Sequence, residues 1–229
     1  MLILVTGGAG SGKSALAEQY AVGLAQAAKC SPVYIATMRR DPDDPETEER
    51  IRRHRDMRAG KGFITYELPC NIRQATELKG RFGLSGRDEG KACISEAKTI
   101  SRTACADCGT PERRVYLLED LPNLLANELW SEGGAMAETA KSIENPAVDT
   151  AGTAALFAAL ETELIGPLME LSEEADLVIV TGDVFSEGSA VDAWTDLYMQ
   201  LLGKAGRVLA GAADRVVEAV SGLPVVLKT

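Results

Sequence analysis

Between the apolar run Leu2-Ile3-Leu4-Val5 and an Ala-, Leu-, Glu- and Gln-rich stretch from Lys13 through Ala28, the chain reads Gly7-Gly8-Ala9-Gly10-Ser11-Gly12-Lys13-Ser14. These residues fit G-x-x-x-x-G-K-[ST], the phosphate-binding P-loop, without a mismatch. The flanks agree with it. A short apolar run suits a buried parallel strand, and no proline interrupts the stretch that follows. Strand, glycine-rich turn and helix in that order make a physical site: backbone N–H groups curl around phosphate oxygens, and the helix N-terminus adds its positive dipole. The pattern predicts a nucleoside triphosphate held by Gly7, Gly8, Ala9, Gly10, Ser11, Gly12, Lys13 and Ser14. Lys13 is expected on the β- and γ-phosphates and the Ser14 hydroxyl on Mg²⁺. An ordinary glycine-rich turn would explain the motif alone, without its strand and helix.

The rest of the chain alternates strands with helices. Val33–Thr37, Phe63–Glu67, Val115–Glu119, Leu177–Thr181, Arg215–Val220 and Pro224–Lys228 read as strands. Helices are expected over Pro45–Arg58, Leu121–Trp130, Ala151–Ser172 with a kink near Gly166-Pro167, and Asp192–Ala212. Several strands are uniformly apolar, which indicates a mainly parallel sheet covered on both faces. The expected fold is therefore α/β, of the P-loop NTPase type and RecA-like. With 229 residues and no clear linker, one domain over residues 1–229 is expected, with insertions near 79–114 and 133–150 where periodicity weakens.

Charge narrows the partners. Thirty-four acidic against 24 basic residues leave a net charge of −10, a surface that repels nucleic acid, so a phosphate ligand is held by local charge. No apolar run approaches the length of a membrane span. No basic leader precedes the P-loop strand, and a cytoplasmic location is the expectation. Five cysteines, Cys30, Cys70, Cys93, Cys105 and Cys108, are an odd count that argues against a disulfide framework. Cys105-x-x-Cys108 fits either half of a zinc site or free thiols on a loop.

The second chemical signal is the single histidine of the chain, His54, within Arg50-Ile51-Arg52-Arg53-His54-Arg55-Asp56-Met57-Arg58. On a helix, Arg50, His54 and Arg58 share a face. Nearby cations disfavour the imidazolium and keep the ring neutral and nucleophilic near pH 7. The same guanidinium groups suit phosphate oxygens and a departing pyrophosphate. Spacing alone favours the other reading, a solvated basic helix face that happens to hold a histidine.

Taken together, Leu4-Val5-Thr6-Gly7-Gly8-Ala9 running into Ser11-Gly12-Lys13-Ser14, Tyr34-Ile35-Ala36-Thr37, and Arg50-Ile51 ahead of His54-Arg55 and Arg58 resemble the bifunctional adenosylcobinamide kinase/adenosylcobinamide-phosphate guanylyltransferase family. Thr65 with Glu67, Leu117-Leu118-Glu119 followed by Asn127, Ala205-Gly206-Arg207, Ala212-Ala213-Asp214, and Ser221-Gly222-Leu223-Pro224 extend the resemblance in order. It implies two steps in coenzyme B12 synthesis. A nucleoside triphosphate, ATP or GTP, first phosphorylates the aminopropanol hydroxyl of adenosylcobinamide. A histidine, here His54, then attacks the α-phosphorus of GTP, and the guanylyl-histidine passes GMP to the cobinamide phosphate. The resemblance also implies that Thr37, Met38, Arg39, Arg55, Asp56, Met57, Arg58, Glu67 and Glu119 line the nucleotide site, and that the enzyme is a homotrimer.

Glu119 is expected to end a strand beside the P-loop strand and to hold Mg²⁺ through water, together with Ser14. A capping acid on the next helix is the other reading of Glu119. The chain departs from the family at Gly182-Asp183-Val184, where Asn-Glu-Val is common, and in its two insertions. A plain P-loop kinase of another small metabolite and a nucleotide-gated interaction protein are the competing functions.

Overall fold

The structure, a computed structural model, describes residues 1–39, 44–77, 114–182 and 192–229. Cys93, Cys105, Cys108, residues 79–113 of the first expected insertion, and Asp183-Val184 of the Gly182-Asp183-Val184 departure lie outside the described residues. The strands are β1 (Leu2–Thr6), β2 (Val33–Ala36), β3 (Ile64–Glu67), β4 (Val115–Glu119), β5 (Asp176–Val180), β6 (Arg215–Val220) and β7 (Leu223–Lys228). The helices are α1 (Lys13–Ala28), α2 (Pro45–Arg58), α3 (Arg73–Glu77), α4 (Leu121–Trp130), α5 (Ala137–Lys141), α6 (Thr150–Ala159), α7 (Gly166–Glu174) and α8 (Ala193–Ala212).

The strands form a seven-stranded sheet in the order β3-β2-β4-β5-β1-β6-β7. Its neighbours are parallel except for the β6/β7 pair. This is the expected α/β architecture, a mainly parallel sheet with helices on both faces and the P-loop after its first strand. The uniformly apolar strands are explained by burial on both faces. Ile3, Val5, Leu117, Val178 and Val180 face α1, which offers the small stripe Ala17, Ala21 and Ala25 and so packs closely. Leu2, Leu4, Val33, Ile35, Leu118, Leu177 and Ile179 face the opposite layer, built from the leucines of α4, α6, α7 and α8. Each such buried aliphatic side chain contributes about 1.5–3 kcal/mol.

Two local expectations took a different form. Ahead of Gly166-Pro167, Leu160–Ile165 wind as a π-helical turn that joins α6 to α7. The Gly166 N–H reaches back to the Glu161 carbonyl, and the wider turn makes room for a proline that donates no N–H and crowds the preceding turn. Residues 133–150, poor in sequence pattern, contain α5 and send Met136, Ala140 and Ile143 into the core.

Parallel strands bring their C-terminal ends to one edge of the sheet. The P-loop after β1, Thr37-Met38 after β2 and Glu119-Asp120 after β4 therefore converge. One expected adjacency is corrected. The strand ending in Glu119 is not beside the P-loop strand, because β5 lies between β4 and β1. The crossover through α4 to α7 returns β5 into that central position, where both its faces are buried. Because α1 crosses over β5 and β4, its first turn still meets Glu119.

Candidate active site

The P-loop backbone is held by its neighbours as well as by its glycines. Gly12 sits at φ +89°, and the β6–β7 turn, with Gly222 at φ +82°, lies against it. The Gly222 N–H donates to the Ser11 carbonyl at 2.8 Å. Lys13 folds back with its Nζ 3.1 Å from the Gly8 carbonyl. Ser14 at the start of α1 donates its hydroxyl to Oε1 of Glu119.

Helix α2 is the second wall. Asp44 caps it by accepting from the Glu46 N–H at 3.0 Å and from the Thr47 hydroxyl at 2.6 Å, with Pro45 at the first position. The helix is strongly polar, and Arg58 is its buried residue. Its site-facing side chains attach it to the body. The Arg58 guanidinium lies over the Tyr34 ring at 3.5 Å, Arg55 pairs with Glu67 at 2.8 Å, and Nδ1 of His54 stands 3.4 Å from Oε1 of Glu119. Arg50, His54 and Arg58 thus share the inward face that their spacing indicated, and all three line one cavity of about 860 Å³ with the P-loop residues Ala9 to Ser14.

The electrostatics of the cavity are unusual. Burial, followed by the charges of Arg58, Arg53, Arg50 and Lys13, lowers the His54 pKa to about 4, so the ring is neutral at neutral pH. Burial raises the Glu119 pKa to about 7 against the opposing Ser14 hydrogen bond. Burial also raises Asp120 above the usual carboxylate range. Among the described residues, three polar atoms in or beside the cavity are buried without a hydrogen-bond partner: Ser11 Oγ, Arg58 Nη1 and Glu119 Oε2. Buried groups of this kind are ordinarily satisfied. Ser11 and Arg58 offer donors suited to a phosphate, and Glu119 an oxygen suited to a hydrated cation.

A profile of the family described as cobinamide kinase / cobinamide phosphate guanyltransferase matches residues 3–82. The match contains both the P-loop and His54. Over those residues, about a third of the chain, the protein is similar to that family. Among solved structures, the chain is similar to the flagellar accessory protein FlaH from Methanocaldococcus jannaschii, at 13% identity and a TM-score of 0.43, over 99% of this chain and 77% of that one. It is also similar to a second solved protein, described as an ATPase domain, at 9% identity and a TM-score of 0.40, over 95% and 68% of the two chains. No curated protein sequence matches the chain.

The residues expected in the site fall into two groups. Ala9, Gly10, Ser11, Gly12, Lys13, Ser14, Met38, His54, Arg55, Met57, Arg58, Glu67 and Glu119 line the cavity. Gly7, Gly8, Thr37, Arg39 and Asp56 are not part of its lining. Gly7 backs onto the Ala219 carbonyl. Thr37 is fully buried and locks β2 to β4, its hydroxyl accepting from the Asp120 N–H at 2.7 Å while its carbonyl accepts from the Asn127 amide at 2.8 Å. Asp56 pairs with Arg52 at 3.1 Å on the exposed side of α2. The alternative role for Glu119 belongs to its neighbour: Asp120 caps α4 by accepting from the Asn123 N–H at 2.9 Å. Tyr34, Asp120 and Asn123 line the cavity and were not anticipated. The Asp-x-x-Asn capping pattern was a signal for the latter two, whereas Tyr34 reads as an ordinary strand residue.

Proposed function

We propose that the chain phosphorylates adenosylcobinamide and then transfers GMP from GTP to adenosylcobinamide phosphate through a guanylyl-histidine on His54. One observation carries this reading: the P-loop and the single histidine of the chain face the same cavity. The family match supports the substrate class. Lys13 and the P-loop N–H groups would hold the phosphates, and Arg58 and Arg50 would meet the charge on a departing pyrophosphate. The low basicity of His54 leaves it unprotonated, as a nucleophile must be. Ser14 and Glu119 fit Mg²⁺, since they present a hydroxyl and an unpartnered buried carboxylate oxygen, the hard donors that ion takes. Bound there, the ion would neutralise phosphate charge. ATP or GTP serves as phosphate donor in the first step. The homotrimer, which the resemblance implies, and the cytoplasmic location and single domain over residues 1–229, which the sequence itself suggests, belong to the same proposal.

The test is incubation with Mg²⁺ and GTP labelled at the α-phosphate. The expected result is an acid-labile, alkali-stable label on the wild type and none on His54→Ala. A wild type that takes no label but phosphorylates cobinamide would reduce the reading to a plain kinase. Full activity with cobinamide in Lys13→Ala would overturn the P-loop assignment itself.

A further inference from the structure

We infer that Glu119 is a positioning residue for His54: its Oε1 takes the Nδ1–H of the imidazole and so leaves Nε2 as the nitrogen that attacks phosphorus. This rests on the guanylyl-transfer reading and goes beyond it by assigning the atom and the residue that selects it. Nδ1 lies 3.4 Å from Oε1, a distance that a bound nucleotide can tighten. The carboxylate is fixed from two sides. It ends the fully buried strand β4, and Ser14 of the P-loop donates to the same Oε1. The cations that lower the basicity of the ring, Arg58, Arg53, Arg50 and Lys13, accept no N–H. Among these charged neighbours, Glu119 alone can take one.

A neutral imidazole has one N–H and one lone pair. With the proton on Nδ1 facing Glu119, the lone pair is on Nε2. In the transfer, the Nε2–P bond forms and the α–β bridging P–O bond breaks. Pyrophosphate leaves with the electron pair, and the Nδ1 proton of the resulting imidazolium stays hydrogen-bonded to Oε1 of Glu119. When the cobinamide phosphate oxygen attacks, the N–P bond breaks and its electrons return to Nε2. A carboxylate that orients a histidine and fixes its tautomer is worth orders of magnitude in hydrolases that use one.

The single histidine makes the test direct. Full-length protein labelled with ¹⁵N-histidine is examined by NMR without nucleotide or metal, at alkaline pH. Imidazole free in water favours the Nε2–H tautomer. The expected spectrum of the wild type shows Nδ1–H. Glu119→Gln keeps an acceptor oxygen and retains that tautomer even if it binds metal poorly, while Glu119→Leu reverts to Nε2–H and forms guanylyl-histidine ~10²-fold more slowly. After reaction with GTP, nitrogen–phosphorus coupling should fall on Nε2. A wild type in the Nε2–H form, or phosphorus on Nδ1, overturns the inference even where Glu119→Leu fails to fold. Absence of phosphorus from His54 altogether defeats the transfer reading instead.

Discussion

Gly12→Ala should reveal how far the β6–β7 turn braces the P-loop. Gly12 has φ +89°, a left-handed conformation that costs an L-residue about 1–2 kcal/mol. An added Cβ would also stand 3.2 Å from Gly222 Cα, so the turn must retreat. Its Gly222 N–H bond to the Ser11 carbonyl, now 2.8 Å, would weaken at a cost of about 1 kcal/mol. Gly10 separates the two terms, because it shares a positive φ of +69° but has nothing within 4 Å of where a Cβ would stand. Gly10→Ala should therefore lose about 1–2 kcal/mol and Gly12→Ala about 2–3 kcal/mol. At roughly 2–4 °C per kcal/mol for a chain of this size, Gly12→Ala should melt about 4–12 °C below wild type and ~3 °C below Gly10→Ala. The assay is thermal unfolding by circular dichroism without nucleotide, repeated with saturating GTP. If Gly12→Ala melts at or above Gly10→Ala, the turn does not brace the loop and the packing argument fails.

The pH dependence of stability carries opposite signs at the two buried groups of the cavity. Glu119, raised from 4.5 to about 7, binds its proton more tightly when folded, so its contribution is intact below 4.5 and is lost as pH rises through 7. In chelator, Glu119→Gln should therefore melt higher than wild type above pH 7, by an amount on the order of 3 kcal/mol, with the gain gone in acid. An unchanged difference across the range would show that the carboxyl is not held neutral. His54, lowered from 6.5 to about 4, is the reverse: the unfolded chain takes the proton first, and stability falls as pH drops from 6.5 towards 4. His54→Asn should flatten that part of the profile in urea titrations. Elsewhere, Lys61 pairs with the fully buried Glu18 of α1. Lys61→Met strands the carboxylate and should cost about 3–5 kcal/mol, while Glu18→Leu with Lys61→Met should recover most of it. Equal melting of the single variant and wild type would remove this pair from the contacts that hold α1.

Local chemistry fixed much of this protein in advance. The P-loop is contiguous, so eight neighbouring residues carry its glycines, its lysine and its hydroxyl. Asp44-Pro45 capped α2 where expected, and four-residue spacing put Arg50, His54 and Arg58 on one face, because helix geometry depends only on nearby backbone. What that face would meet was not legible. The Ser14–Glu119 bond joins residues 105 positions apart, and it exists because α1 crosses two strands of a sheet whose order no local pattern encodes. Strand order also explains the misplaced neighbour: β5 is apolar like β4, and only the crossover set which of them lies next to β1. Whether Glu119 would cap the next helix or meet the P-loop was likewise open until β4 ended with Glu119 towards Ser14 and Asp120 towards α4. Residue identity and spacing were enough to name the groups that can bind phosphate and the nitrogen-bearing side chain that can attack it. That these groups share a cavity, with a buried carboxylate against the histidine, came from the folded chain, because such contacts depend on long-range packing that residue spacing does not record.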